Sequence, residues 1–310
     1  MRLFDLHCDT ATRLLSEKQG LYKNDFHISI ERAAYLDNYA QVMAVWSNHK
    51  LNDSDAYNIF FDVVKNLENE VKINNKYIGL VQNMNDISHL INLGKSPLIL
   101  AVEDARILEN DLTRLDVLYS MGVRILTLNW YGLTCIGGAH DTSIGLSDFG
   151  IEVVNKCFDL EIIPDISHSS FIGADMVLNL AEQRNKPVIA SHSNSYSVNP
   201  HTRNLRDADF NRITKLKGLV GINLCPPHIN INSHATISDI ISHIEHYLSL
   251  GGENTVAIGG DLDGTDLPCG FSGIEHIYKI ADELQRINYS QKLIDKIMYK
   301  NAFEFFKSNL

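Results

Sequence analysis

The chain is poor in cysteine, and the five it has (Cys8, Cys135, Cys157, Cys225 and Cys269) are widely scattered. An odd count with no Cys-x-x-Cys spacing excludes a disulfide framework and a structural zinc knot, and fits a reducing compartment. Basic charge is also short. With 27 Lys and Arg against 38 Asp and Glu, the formal net charge is -11. That balance, with no Lys/Arg-rich run, argues against nucleic acid or an anionic membrane as partner. No apolar stretch approaches the roughly 20 residues of a membrane helix. The N-terminus enters an apolar run at once, without the basic and apolar regions of a leader, and no lipidation signal closes the chain. A soluble, cytoplasmic protein is expected. Repeats, low-complexity segments and Pro/Gly-rich linkers are absent too, so a single domain over residues 1–310 is expected.

What is present is an alternation. Eight short apolar runs recur: Leu3–His7, Ala40–Trp46, Pro97–Glu103, Ile125–Asn129, Ile162–His168, Pro187–His192, Leu219–Leu224 and Val256–Asp261. A further run, Tyr77–Val81, reads as an extra strand or edge. Between the runs lie amphipathic patterns. Ser54–Lys72 places Ala56, Ile59, Phe60, Val63, Val64 and Leu67 at helical spacing, and Ile237–Leu250 does so with Ile240, Ile241, Ile244 and Leu248. Asp282–Arg286 and Ser290–Lys307 also read as helices. Eight strands alternating with helices over this length predict a (β/α)8 TIM barrel. An open doubly wound sheet is the competitor, but no Gly-x-Gly-x-x-Gly follows an early strand.

In such a barrel the chemistry sits where strands run out into loops. Here several runs end in a potential ligand: His7 and Asp9 after the first, Glu103 after the third, His168 and His192 after the fifth and sixth, Asp261 after the eighth. Each has a plain structural alternative, such as a helix-capping acid or a turn residue. Gathered at one rim, a shared metal site explains them with one assumption. Side chains two apart on a strand share a face, so His7 and Asp9 project together. His7, Asp9 and Glu103 would hold one divalent ion. Glu103, His168 and His192 would hold a second, with the two oxygens of Glu103 bridging the pair. Imidazole and carboxylate suit Zn2+, with Mn, Co or Fe as other candidates. Asp261 remains over as a general base beside the water that two cations acidify.

This set resembles the membrane dipeptidase (renal dipeptidase) family of the amidohydrolase superfamily. The resemblance runs from Phe4-Asp5-Leu6-His7-Cys8-Asp9-Thr10 through Val102-Glu103, Gly122–Leu128, Gly145–Gly150, Asp165-Ile166-Ser167-His168 and Ser191-His192-Ser193 to Gly259-Gly260-Asp261-Leu262-Asp263-Gly264. It implies the metal roles given above and Asp261 as proton shuttle. It also implies Arg203 as the residue that grips the C-terminal carboxylate of a dipeptide, tolerance of a D-residue there, and a homodimer. Two positions depart from the pattern. Trp130 stands where many relatives have a His over the metals; its indole only donates, and it would narrow the pocket as an apolar wall. His140 is the candidate to reach in instead. Cys225 stands where some relatives place an aromatic residue near the substrate. Other readings are a metallohydrolase acting on a lactam, an N-acyl amino acid or an ester, and a metal-binding barrel without catalysis.

Overall fold

The computed structural model describes residues 1–310, Met84 by its backbone alone. Nine strands form: β1 (Arg2–Cys8), β2 (Asn38–Trp46), β3 (Ile78–Leu80), β4 (Ser96–Glu103), β5 (Val123–Thr127), β6 (Ile163–Asp165), β7 (Ile189–Ala190), β8 (Leu219–Ile222) and β9 (Val256–Ile258). Every pairing is parallel, as connections through helices require. Eight strands close a ring in the order β1-β2-β4-β5-β6-β7-β8-β9, with Asp5 of β1 paired to Ile258 of β9 at the seam. The ninth, β3, pairs only with the first residues of β4 and lies outside the ring, as the extra run predicts. The fold is the expected TIM barrel.

Inside the ring, alternate residues fill the lumen. Phe4, Leu6, Ala40, Val42, Ala44, Ile99, Ala101, Ile125, Ile163, Ile189, Leu219 and Ala257 form this inner core. Their neighbours, among them Leu3, Met43, Val45, Leu98, Leu100 and Val102, pack outward against the helices. The C-terminal segment closes the floor: Phe306 stacks on Phe4 at 5.1 Å, and Tyr299, Ala302 and Phe305 join them. With the floor plugged, the opposite end, where the strands finish, is left for the site.

The predicted helices appear at Asp53–Ile73, Ile237–Ser249 and Tyr278–Arg286. The expected Ser290–Lys307 helix is instead three joined pieces, Gln291–Asp295, a π-helical turn at Lys296–Lys300, and Asn301–Asn309. The wide turn buries Ile297, Met298 and Tyr299 together, and Asn301 Nδ2 then donates to Glu253 O and Val256 O. Four runs give shorter strands than their apolar length suggests, β6 to β9, and for β6 and β7 the reason lies in the site. Among the described residues no helix is long and apolar enough to cross a membrane.

Candidate metal centre

Strand alternation delivers Glu103. Ile99 and Ala101 point into the lumen, so the next residue but one does too, at the end of β4. His7 needs a different device. Phe4 and Leu6 face inward, and simple alternation would turn His7 outward. Between Asp5 and Cys8 the ladder slips, three steps along β1 opposing two along β2 (Gln41 to Met43). This bulge brings His7 to the inner face, its Nε2 3.5 Å from Glu103 Oε2 and 3.8 Å from Asp9 Oδ1. On the other side of Glu103, Oε1 lies 2.9 Å from His168 Nε2 and 3.5 Å from His192 Nε2. All five predicted ligands therefore meet in one buried spot.

The hydrogen bonds around the two imidazoles fix what those nitrogens are. His168 Nδ1 lies 3.1 Å from the carbonyl oxygen of Trp130, which only accepts, so the proton is on Nδ1. His192 Nδ1 lies 2.7 Å from Ser191 Oγ, and that hydroxyl gives its own proton to Asp165 Oδ2 at 2.5 Å. Here too the ring proton sits on Nδ1. Both Nε2 atoms therefore present bare lone pairs, yet they stand 2.9 Å apart and both face a carboxylate oxygen. Three lone pairs converging in a buried place repel one another unless a cation lies among them. His7 Nε2 and Asp9 Oδ1 are likewise buried with no hydrogen-bond partner. Electrostatics agree. Burial works against a His7 imidazolium, but Glu103, Asp9 and Asp261 outweigh it and push its pKa up to about 10. The donor set, imidazole nitrogen and carboxylate oxygen, fits divalent zinc-like ions.

Two buried aspartates hold this geometry. Asp165 Oδ1 accepts from the main-chain N–H groups of Ser167 and Ser191, and Oδ2 from the hydroxyls of Thr127 and Ser191. It thereby replaces the ladder beyond the single β6–β7 pair, Asp165 with Ile189, which is why both strands stop short. Asp5 does the same at the barrel seam, accepting from His7 N, Gly260 N and Gln41 Nε2; burial raises its pKa to about 6. Sequence reasoning missed both, although an acid inside an apolar run is a visible signal.

Asp261 follows β9 in a left-handed backbone conformation, φ 54°, with its N–H bonded to His7 O. Its Oδ1 is 4.0 Å from His7 Nε2, and its Oδ2 accepts from Asn223 Nδ2 at 3.3 Å. Burial raises its pKa to about 6, with His7 and Arg203 pulling the other way. Gly264, closing the same turn, is packed so tightly that a Cβ there would fall against Asp9 Oδ2 and Asp261 Oδ1.

Above the centre opens a cavity of about 530 Å³, bordered by Asp9, Glu103, His168, Arg203, Asp261, Trp130 and His140. Arg203 is 5% exposed, and its Nε and Nη2 find no acceptor. A buried guanidinium with free donors in a cavity wall is arranged to receive an anion. His140 Nδ1 meets Thr202 Oγ1 at 3.0 Å; burial and then Arg203 lower its pKa to about 3, so the ring is neutral. Cys225 also borders the cavity, as does His228, which the sequence reading did not single out. His228 Nδ1 is buried without a partner, and burial followed by Arg203 holds the ring neutral.

A closed parallel barrel with a buried cluster of imidazole and carboxylate ligands at its mouth defines a metallohydrolase. The chain matches the family model for membrane dipeptidase (peptidase family M19) over residues 1–309, and it belongs to that family. Membership makes it a dipeptidase, a hydrolase of peptide bonds. An uncharacterized dipeptidase of Schizosaccharomyces pombe is 31% identical over 230 residues, 70% of this chain and 54% of that protein. An uncharacterized protein of Klebsiella pneumoniae, from the pqqA 5' region, is 27% identical over 206 residues, 63% of this chain and 75% of that one. Among solved structures, a metallopeptidase from Rhodobacter sphaeroides, liganded with a phosphinate mimic of L-Ala-D-Ala, superposes with TM-score 0.93 at 21% identity, covering 100% of this chain and 99% of that one. That likeness is one of fold.

Proposed function

We propose that this chain is a binuclear zinc dipeptidase in which His7, Asp9 and Glu103 hold one ion and Glu103, His168 and His192 the other. The observation that carries the reading is the convergence of unprotonated His168 Nε2 and His192 Nε2 on Glu103 beside a buried guanidinium that lacks an acceptor. Bound divalent ions supply Lewis-acid polarisation of the scissile carbonyl and lower the pKa of water at the centre. Arg203 forks its free N–H groups onto the C-terminal carboxylate and so fixes the amide over the ligands. Asp261, with Oδ2 restrained by Asn223, keeps Oδ1 toward the centre, takes a proton from the attacking water and passes it to the departing nitrogen. Neutral His140 and the Trp130 ring border the substrate. A D-residue on the C-terminal side is part of the reading, since Arg203 reads a carboxylate and not its neighbour's stereochemistry. We take the working form to be a cytoplasmic homodimer, in keeping with five free cysteines.

The test is elemental analysis together with turnover of Gly-D-Ala and Ala-D-Ala. Arg203→Ala is then compared on a dipeptide and on its C-terminal amide. The variant should raise KM for the free acid at least tenfold and leave the amide unchanged. Equal effects on both, or a protein that carries no metal, would remove the reading.

A further inference from the structure

Four rings stand together on one side of the mouth. Trp46, the last residue of β2, packs edge-to-face on Trp130 with centroids 5.2 Å apart. His49 stacks on Trp130 at 5.3 Å, and Tyr131 lies 5.7 Å from His49. All four border the cavity.

This wall is held in place. Thr12 grips the main chain of Trp46 in both directions: Trp46 N donates to Thr12 Oγ1 at 3.1 Å, and that hydroxyl donates to Trp46 O at 3.0 Å. The loop carrying His49 is clamped by Arg106, a buried guanidinium. It donates to Asn48 O at 3.0 Å, Leu51 O at 2.8 Å, Asp53 Oδ1 at 2.8 Å and Ser47 Oγ at 3.3 Å. Trp46 Nε1 lies buried with no hydrogen-bond partner. An exposed loop tethered this heavily to display flat rings resembles a prepared contact surface more than a solvated turn.

Its place in the ring tells which part of a substrate it meets. In the order β1-β2-β4-β5-β6-β7-β8-β9, β2 and β7 are diametrically opposed. Arg203 hangs from the loop that follows β7, and Trp46 ends β2. A dipeptide with its carboxylate on Arg203 and its amide at Glu103 must therefore send its N-terminal residue toward the rings. We propose that Trp46, Trp130 and His49 form the subsite for the N-terminal side chain and select aromatic or bulky apolar residues there. This rests on the dipeptidase reading above. A basic side chain is disfavoured by the Lys50 and Arg13 cations at the same rim.

The chain has two tryptophans, and both are in this wall, so intrinsic emission reports on it directly. Two measurements test the proposal on the metal-loaded protein. The first is kcat/KM for X-D-Ala with X as Gly, Ala, Leu, Phe, Lys and Glu. Phe and Leu should exceed Gly by about tenfold or more, the scale on which an apolar pocket discriminates. Trp46→Ala should bring that ratio to within about threefold of unity, and Trp46→Phe should restore it. The second is a titration of the unmodified protein with phosphinate analogues of Phe-D-Ala and Gly-D-Ala. The Phe analogue should change tryptophan emission saturably, and the Gly analogue should change it far less. Flat selectivity across X, a preference for Lys or Glu, or a Phe/Gly ratio untouched in Trp46→Ala overturns the subsite while leaving the dipeptidase intact. Failure to cleave any member of the series overturns the dipeptidase reading and the subsite with it.

Discussion

His168 Nε2 and His192 Nε2 face each other at 2.9 Å, and neither carries a proton there. The proton of each ring is committed elsewhere, in one case to the Trp130 carbonyl and in the other to Ser191. Two lone pairs and the Glu103 carboxylate thus share a buried space that only a cation makes favourable. Removing metal with a chelator should abolish dipeptide turnover and lower the melting temperature, and Zn2+ should restore both. At a hundredfold excess over Kd the stabilisation is about 2.7 kcal/mol. A melting temperature indifferent to Zn2+, with no metal retained on dialysis, would contradict this.

The grip on His192 runs through Ser191 to Asp165. In Asp165→Asn one of the two carboxylate oxygens becomes a donor, Ser191 loses its acceptor, and its hydroxyl no longer has to receive the His192 proton. Metal affinity should fall by about 10- to 100-fold, the usual cost of disturbing a group behind a ligand. Competition against a chromophoric chelator measures it. Unchanged affinity in a folded variant would show that Asp165 matters to the strand ends alone.

Asp261→Asn keeps the size and the Asn223 contact but cannot take up a proton. The variant should retain its metal by elemental analysis and lose about 10²- to 10⁴-fold in kcat. A rate near that of the parent protein would assign the shuttle to another group.

Gly264 shows no left-handed φ, so alanine suits its backbone; the difficulty is the methyl group. It would press on Asp9 Oδ2 and Asp261 Oδ1 together. Gly264→Ala should therefore weaken metal binding and lower kcat while the far-ultraviolet circular dichroism stays the same. Full activity would mean that the turn yields where the packing says it does not.

Away from the centre, His243 is fully buried, accepting from Ser195 N at 3.0 Å and donating from Nε2 to Ile229 O at 2.9 Å. Accepting at Nδ1 requires the neutral ring, and burial lowers its pKa below the ordinary 6.5. The unfolded chain takes up a proton near pH 6.5 that the folded chain refuses. Its contribution to stability is whole above that pH and is lost as pH falls below it, by about 1.4 kcal/mol per unit until the folded ring also titrates. Ring resonances of His243 followed by NMR should titrate with a midpoint below 6.5. An ordinary midpoint would refute the sign.

Much of this was legible in the residues. Leu98 to Val102 is one unbroken apolar run closed by an acid, which marks a buried strand and its end; strand parity, once Ile99 and Ala101 are seen to face inward, puts Glu103 over the lumen. The eight apolar runs located every barrel strand, and the ninth run its outlier. Arg203 was different. Nothing in Thr202-Arg203-Asn204 marks a binding group, and only the family resemblance pointed to it before the structure placed its unpartnered donors in the cavity. Asn223, Trp46 and His228 were not singled out, because a residue near a strand end acquires its meaning from what stands across the ring. Asp5 and Asp165 were passed over although acids within apolar runs are visible, since the missing ladder bonds that they replace are not.

The order of residues alone determined the chemistry available: alternation of apolar runs with helices gave a closed parallel barrel, and five of the eight runs ended in an imidazole or a carboxylate. Local geometry is enough for that, because strand parity and helical period are properties of neighbours. The tertiary structure decided which groups meet and in what state. A slip of one residue between Asp5 and Cys8 turned His7 inward, Asp165 and the Trp130 carbonyl set where two imidazoles keep their protons, and closure of the ring put Arg203 and Trp46 on opposite sides of one mouth. Those are relations between segments far apart in the chain, fixed by packing and by the need to satisfy buried polar groups, and no window of sequence contains them.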